Sequence, residues 1–132
     1  MAKYRDLTEF FDPDLVLPIG DVEYRIKCPG RTEGKRLRTL ILDSQLTTAG
    51  EQTEIEKILG EAGVLMEAAN LPDVMVTHAG RTALIHFGGN PDMGRQHWHL
   101  AQLGAVLSLD EAIEYITGAE APAPAPEAAA EG

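Results

Sequence analysis

One cysteine, Cys28, is all the thiol chemistry in this chain of 132 residues, so no intrachain disulfide can form. The opening run Met1-Ala-Lys-Tyr-Arg-Asp-Leu-Thr-Glu has no apolar stretch that would serve as a signal peptide. No segment approaches the roughly 18–20 consecutive apolar residues that a spanning helix needs. Together these absences predict a cytoplasmic protein in a reducing setting. Basic residues are also scarce, 11 against 21 acids, for a net charge of -10. Glu120, Glu127 and Glu131 lie near the C-terminus; the remaining 118 residues still carry 11 basic and 18 acidic side chains. That excess disfavours non-specific attraction to nucleic acid or anionic lipid.

Reactive constellations are missing too. His97 and His99 lie two positions apart, which on a helix sends them to nearly opposite faces, and His78 and His86 are separated by eight. No carboxylate stands at a spacing such as His-Glu-x-x-His, so no metal is expected. Phe87-Gly-Gly-Asn-Pro lacks the Lys-Ser/Thr pair of a phosphate loop and reads as a turn. Ser44 and Ser108 have no nucleophile-elbow context, and Cys28, with no histidine or second thiol near it in sequence, is expected to be a buried, inert side chain. No catalytic residue and no cofactor are expected.

What the chain does have is clear alternation followed by helical periodicity. Leu15-Val-Leu-Pro-Ile19 and Val22-Glu-Tyr-Arg-Ile26 flank Gly20-Asp21, whose leading glycine suits a type II′ turn. This hairpin sets Ile19 opposite Val22, Leu17 opposite Tyr24 and Leu15 opposite Ile26, all on one face, with Glu23, Arg25 and Lys27 on the other. Pro18 marks an edge strand. Beyond Cys28-Pro-Gly30, Leu37, Leu40, Ile41 and Ser44 fit a helix from about Thr32, which Gly50 is expected to close. Thr53 and Glu56 make a candidate capping box for a second helix, with Ile55, Ile58, Leu59, Ala62, Leu65, Met66 and Ala69 in one stripe. Gly60 and Gly63 weaken that helix. A third follows Asn70-Leu-Pro-Asp73, with Val76, Ala79 or Gly80, Ala83, Leu84 and Phe87 inward and Gly88-Gly89 as its stop. A fourth starts at Asn90-Pro91-Asp92 and passes Trp98 and Ala101 to about Leu103. Ser108-Leu-Asp-Glu111 opens a fifth, with Leu109, Ala112, Ile113 and Ile116 inward.

The expected fold is therefore α+β: an N-terminal β-hairpin packed on about five α-helices in one domain, residues 1–118. From Ala119 the composition collapses to Ala, Pro, Glu and Gly, and residues 119–132 are expected to be a disordered Ala/Pro-rich tail.

Two features suit binding. Six basic residues crowd between Arg25 and Arg38, and Arg31, Lys35 and Arg38 share one helical stripe. Without a nucleic-acid motif, that stripe reads as a solvated face or a contact for an acidic protein. Trp98 reads either as a core residue or as an interface anchor, and Leu7-Thr-Glu-Phe-Phe11 either as a staple on the hairpin or as a docking arm. Phe10, Phe11, Trp98, Leu100 and Leu103 are the candidate partner-binding residues.

Several elements together resemble the small tail assembly chaperones of actinobacterial siphophages, encoded ahead of the tape-measure protein. They are Phe10-Phe-Asp-Pro-Asp-Leu-Val-Leu-Pro-Ile with Glu23-Tyr-Arg-Ile, Leu59-Gly-Glu-Ala, Met66, Leu71-Pro-Asp-Val, His78-Ala-Gly-Arg-Thr-Ala and the step up to Trp98. The similarity spans roughly residues 7–100. The chain departs from the family in running on from Leu100 to Ile116 and in having Gly80 where alanine is the more natural helical residue. The resemblance implies a protein that binds the tape-measure protein and keeps it soluble until major tail protein displaces it. It also implies action in the cytoplasm of the infected host cell and absence from the mature virion, with the tail as a tether. The major tail protein and a second copy of the chain are further candidate partners; nucleic acid and membrane are not. The rival reading is a virion structural protein, a head–tail connector or tail terminator. A third is a host-directed regulator using the basic stripe.

Overall fold

Alternation over ten residues and a two-residue turn build the first element. In the computed structural model, which describes residues 3–43, 45–103 and 109–118, β1 (Leu15–Ile19) pairs antiparallel with β2 (Val22–Ile26). The register sets Leu15 against Ile26, Leu17 against Tyr24 and Ile19 against Val22, as the alternation predicts. Gly20 takes φ +64° and Asp21 does not share the positive sign, the pattern of a type II′ turn. Leu17, Tyr24 and Ile26 are buried, while Val22, beside the turn, is exposed. Pro18 sits opposite Glu23, a non-hydrogen-bonded position in which its missing N–H faces away from β2.

Six helices follow: α1 (Arg31–Leu40), α2 (Thr48–Leu59), α3 (Glu61–Ala68), α4 (Asp73–Gly88), α5 (Pro91–Leu100) and α6 (Leu109–Gly118). Short 3-10 turns occupy Leu7–Glu9 and Ala101–Leu103. The α+β architecture stands, with one helix more than expected. The stripe from Ile55 to Ala69 is not one helix, because Gly60 at φ +53° stops α2 and α3 begins anew at Glu61. Leu65 and Ala69 consequently leave the inward face and are exposed.

The start of α2 also differs. Gly50 does not end a helix but lies in the first turn of α2, where its N–H donates to Thr47 Oγ1 at 3.0 Å. Thr47 is thus the cap, and the Thr53 hydroxyl donates instead to the Ala49 carbonyl at 3.2 Å. Helix α1 stops at Leu40, before Ser44, which lies outside the described residues, as do Ser108 and the 119–132 tail.

The start of α5 follows the sequence closely. Asn90 Oδ1 accepts from the Met93 N–H at 2.9 Å with Pro91 as the first residue of α5. Helix α3 ends in a Schellman motif around Asn70 at φ +53°: the Leu71 N–H donates to the Met66 carbonyl at 3.2 Å, and the Asn70 N–H to the Glu67 carbonyl at 2.9 Å.

Helix α4 is the centre of the body. Thr77, Ala79, Gly80, Thr82, Ala83, Leu84, Ile85 and Gly88 are all buried, so it is covered on most sides rather than along one stripe, with α1, α2 and α5 packed around it. Small residues permit this. A Cβ on Gly80 would lie 2.8 Å from Ile55 Cγ1 of α2, and a Cβ on Gly94 of α5 would lie 2.8 Å from His86 Cβ of α4. Gly80 is therefore a contact point between α4 and α2, where alanine would not fit. One apolar cluster joins the hairpin (Leu17, Tyr24, Ile26) to all six helices through Leu37, Ile55, Met66, Leu84, Leu100 and Ile116. A buried ion pair crosses it, Arg81 of α4 donating to both carboxylate oxygens of Glu51 of α2 at 2.8 and 3.1 Å.

Candidate functional site

Helix α5 turns Gly94, His97 and Leu100 toward α4 at helical spacing, which leaves Trp98 at the flank. His97 is only 2% exposed, and a hydrogen bond of 2.6 Å joins its Nδ1 to Thr82 Oγ1. His78 stacks on it with ring centroids 4.5 Å apart and donates from Nε2 to the Trp98 carbonyl at 2.9 Å. Burial, then the nearby His78 and Arg81, push the His97 pKa down to about 3, so this imidazole is neutral at physiological pH. The network faces inward. It binds α5 to α4 and presents no nucleophile.

The surface around Trp98 is a shallow cleft of about 270 Å³ between β1 and α5, floored by Leu15, Leu17 and Thr82 and edged by Val16, Pro18 and Arg95. Trp98 itself is half-buried against the core. The N-terminal segment is anchored to the hairpin through Asp12 and Asp14. Arg25 of β2 donates to Asp12 at 2.9 Å and to Asp14 at 3.2 Å, and Asp14 accepts from the Cys28 N–H at 2.8 Å. The Arg25 guanidinium, and then the Asp14 N–H that donates to Asp12 Oδ1 at 3.0 Å, hold the Asp12 carboxyl below its ordinary range. Ahead of that anchor, Asp6 caps the Leu7–Glu9 turn, and Tyr4, Leu7, Phe10 (60% exposed) and Phe11 (55%) stand in solvent. The Arg5 guanidinium lies 5.1 Å from the Phe10 ring centre.

A larger groove, about 520 Å³, opens where the chain turns from α2 through α3 into α4. Ile55, Leu59, Leu71 and Val76 form its floor, and Glu56, Glu67 and Asp73 are its charged side chains. Among the described residues no Lys or Arg lines it. Val64, which also lines it, is 66% exposed.

Residues 5–131 match the profile of the family described as "Domain of unknown function (DUF7426)". The chain belongs to that family. No curated protein and no solved structure matches it. This DUF7426 member thus has to be read from its own surface.

The residues expected to bind a partner are not assembled into one site. Phe10 and Phe11 are on the exposed arm, so the arm does not staple to the hairpin. Trp98 is at the cleft between β1 and α5. Leu100 is a correction: at 9% exposure it belongs to the core, because α5 directs it inward one turn after His97. The side chain of Leu103 lies outside the described residues. Cys28 is a second correction, exposed rather than buried, since it follows the last residue of β2. Its Sγ donates to the Pro29 carbonyl at 3.4 Å, and partial desolvation with the Asp14 charge pushes the thiol pKa up, away from thiolate reactivity. The basic stripe Arg31, Lys35 and Arg38 is exposed, and Arg36, outside the stripe, bridges Glu33 and Glu54 to tie α1 to α2.

Among the described residues no group of three His, Cys, Asp or Glu side chains is placed to hold a metal ion. Nor is any helix there long and apolar enough to cross a membrane. The acid-lined groove was missed from sequence. Its signal was present in Glu56 and Glu67 flanking a glycine-broken apolar stripe, but the break itself was needed to see it.

Proposed function

We propose that this chain is a binding protein without chemistry, a phage tail assembly chaperone that coats the tape-measure protein and keeps it soluble during tail assembly. One observation carries the reading. An acidic body closes its own core, yet leaves large apolar side chains exposed: Tyr4, Leu7, Phe10 and Phe11 follow one another along the N-terminal arm, Val64, Leu65, Val74 and Met75 lie on α3 and α4, and Val16, Val22, Leu42 and Tyr115 stand singly elsewhere. Exposed apolar surface on a small soluble protein marks contact sites, and a surplus of negative charge keeps a complex with a greasy partner dispersed. A tape-measure protein is long and helical, with apolar stripes that aggregate when uncovered. Many copies of this chain along it would give avidity from modest single contacts, and major tail protein would displace them as the tube grows. On this reading the chain acts in the infected cell's cytoplasm and is left out of the finished particle.

The test is co-expression with the tape-measure protein of the same phage. The soluble fraction of that protein rises with the intact chain and rises less with Phe10→Ser/Phe11→Ser, which leaves the core untouched. Unchanged solubility in the presence of the intact chain contradicts the proposal.

A further inference from the structure

We infer that the groove between α2, α3 and α4 receives a basic amphipathic helix of a partner protein. The inference deepens the chaperone reading and rests on it only for the partner's identity. Three observations converge. The floor is apolar and continuous with the core, through Ile55, Leu59 and Val76, so an apolar stripe laid there loses water on both sides. The charged lining has one sign only, from Glu56, Glu67 and Asp73, so a helix with Lys or Arg flanking its stripe is attracted and an acidic one is repelled. Val64 lines the groove and is 66% exposed, so it extends the apolar contact at the rim.

The groove exists because α2 and α3 are separate helices. Gly60 at φ +53° and Asn70 at φ +53° are the two bends that bring α2, α3 and the start of α4 around one hollow. A second copy of the chain fits less well. Its basic face, Arg31, Lys35 and Arg38 on α1, is exposed, but the apolar side of that helix, at Leu37, is already buried in its own core. Such a copy would match the acids of the groove and leave the floor unfilled.

The probe is a synthetic Leu/Lys amphipathic helix of about 18 residues, about five turns, with a Leu/Glu peptide of the same apolar face as its counterpart. Binding of each to the full chain is followed by fluorescence anisotropy. The Leu/Lys peptide binds, the Leu/Glu peptide does not, and added salt weakens the complex. Glu56→Lys/Glu67→Lys loses roughly ten- to a hundredfold in affinity, from two lost attractions and two new repulsions. Val64→Ser, at an exposed position where folding is spared, removes apolar contact without adding charge and also weakens binding. Asp21→Lys/Glu114→Lys alters net charge equally but lies away from the groove, and it leaves affinity within about threefold. Equal losses in the two charge-reversed variants would mean general attraction to an acidic protein and would overturn the assignment. So would binding of both peptides alike, or a dimer of the chain broken by Glu56→Lys/Glu67→Lys in place of peptide binding. The peptide assay contains no tape-measure protein, so its failure removes the groove assignment alone, and failure of the co-expression removes the chaperone reading alone.

Discussion

Ile55 occupies the space that a side chain at position 80 would need, and this contact decides the sign of a substitution that helix propensity alone would get wrong. Alanine favours a helix over glycine by about 1 kcal/mol, but at Gly80 the added methyl meets the branched carbons of Ile55 at 2.8 and 3.0 Å. Overpacking costs about 1–3 kcal/mol, so Gly80→Ala should lower the urea midpoint. Gly34 in α1 has nothing within 4 Å of its would-be Cβ. Gly34→Ala should therefore raise the midpoint by the equivalent of about 0.5–1 kcal/mol. Equal shifts of the same sign would contradict the packing described around α4.

His97 supplies the pH dependence at the same scale. Folded, it resists protonation down to about 3; unfolded, it takes a proton near 6.5. Below 6.5 the unfolded chain therefore binds a proton that the folded chain refuses. This contribution to stability is complete above that value and falls away as the pH drops toward 3, by about 1.4 kcal/mol per pH unit. Urea midpoints at pH 7 and pH 5 should differ clearly for the natural chain and less for His97→Gln. A difference unchanged by that replacement would place the pH dependence elsewhere.

Among the elements, cap residues were a partial guide: the Thr53–Glu56 capping box reads well in sequence, yet Thr47 caps α2. The hairpin register, the Asn90-Pro91 start of α5 and the turn after α3 follow from residues with few other uses. The break at Gly60 was not legible, because Ile55, Leu59, Ala62 and Met66 keep helical spacing straight through it while only the backbone sign changes. The inward face of α5 was hidden for a different reason. It consists of a glycine, a histidine and a leucine, and neither a close backbone crossing nor a hydrogen-bonded imidazole looks apolar in sequence. That is why the sequence alone sets Leu100 at a binding surface although it packs in the core.

The α2–α4 junction gives the prediction at this scale. The Glu51–Arg81 pair crosses it with both side chains mostly out of water, and removing one member of a buried pair costs about 3 kcal/mol or more. Glu51→Ala should lose about that much in equilibrium unfolding, whereas removing the more exposed Arg36 link by Glu33→Ala should cost under about 1 kcal/mol. Similar losses would mean that the Glu51 pair is solvated after all.

At the scale of the whole molecule, core and surface divide the work. The core takes the hairpin's inward face and a strip from every helix, leaving a negative exterior interrupted by an aromatic arm, a cleft at Trp98 and an acid-lined groove. Each of the three exposes apolar side chains. The sequence could state the arm, since Phe10 and Phe11 are adjacent and local. It could not state the groove, whose walls come from three helices and depend on two backbone bends.

The most direct measurement is light scattering from a tape-measure segment diluted out of denaturant, with and without purified chain. The account expects scattering to fall in proportion to added chain, with no nucleotide present, until the segment's sites are filled, and to fall less with Phe10→Ser/Phe11→Ser. Scattering that is the same with and without the chain would contradict it.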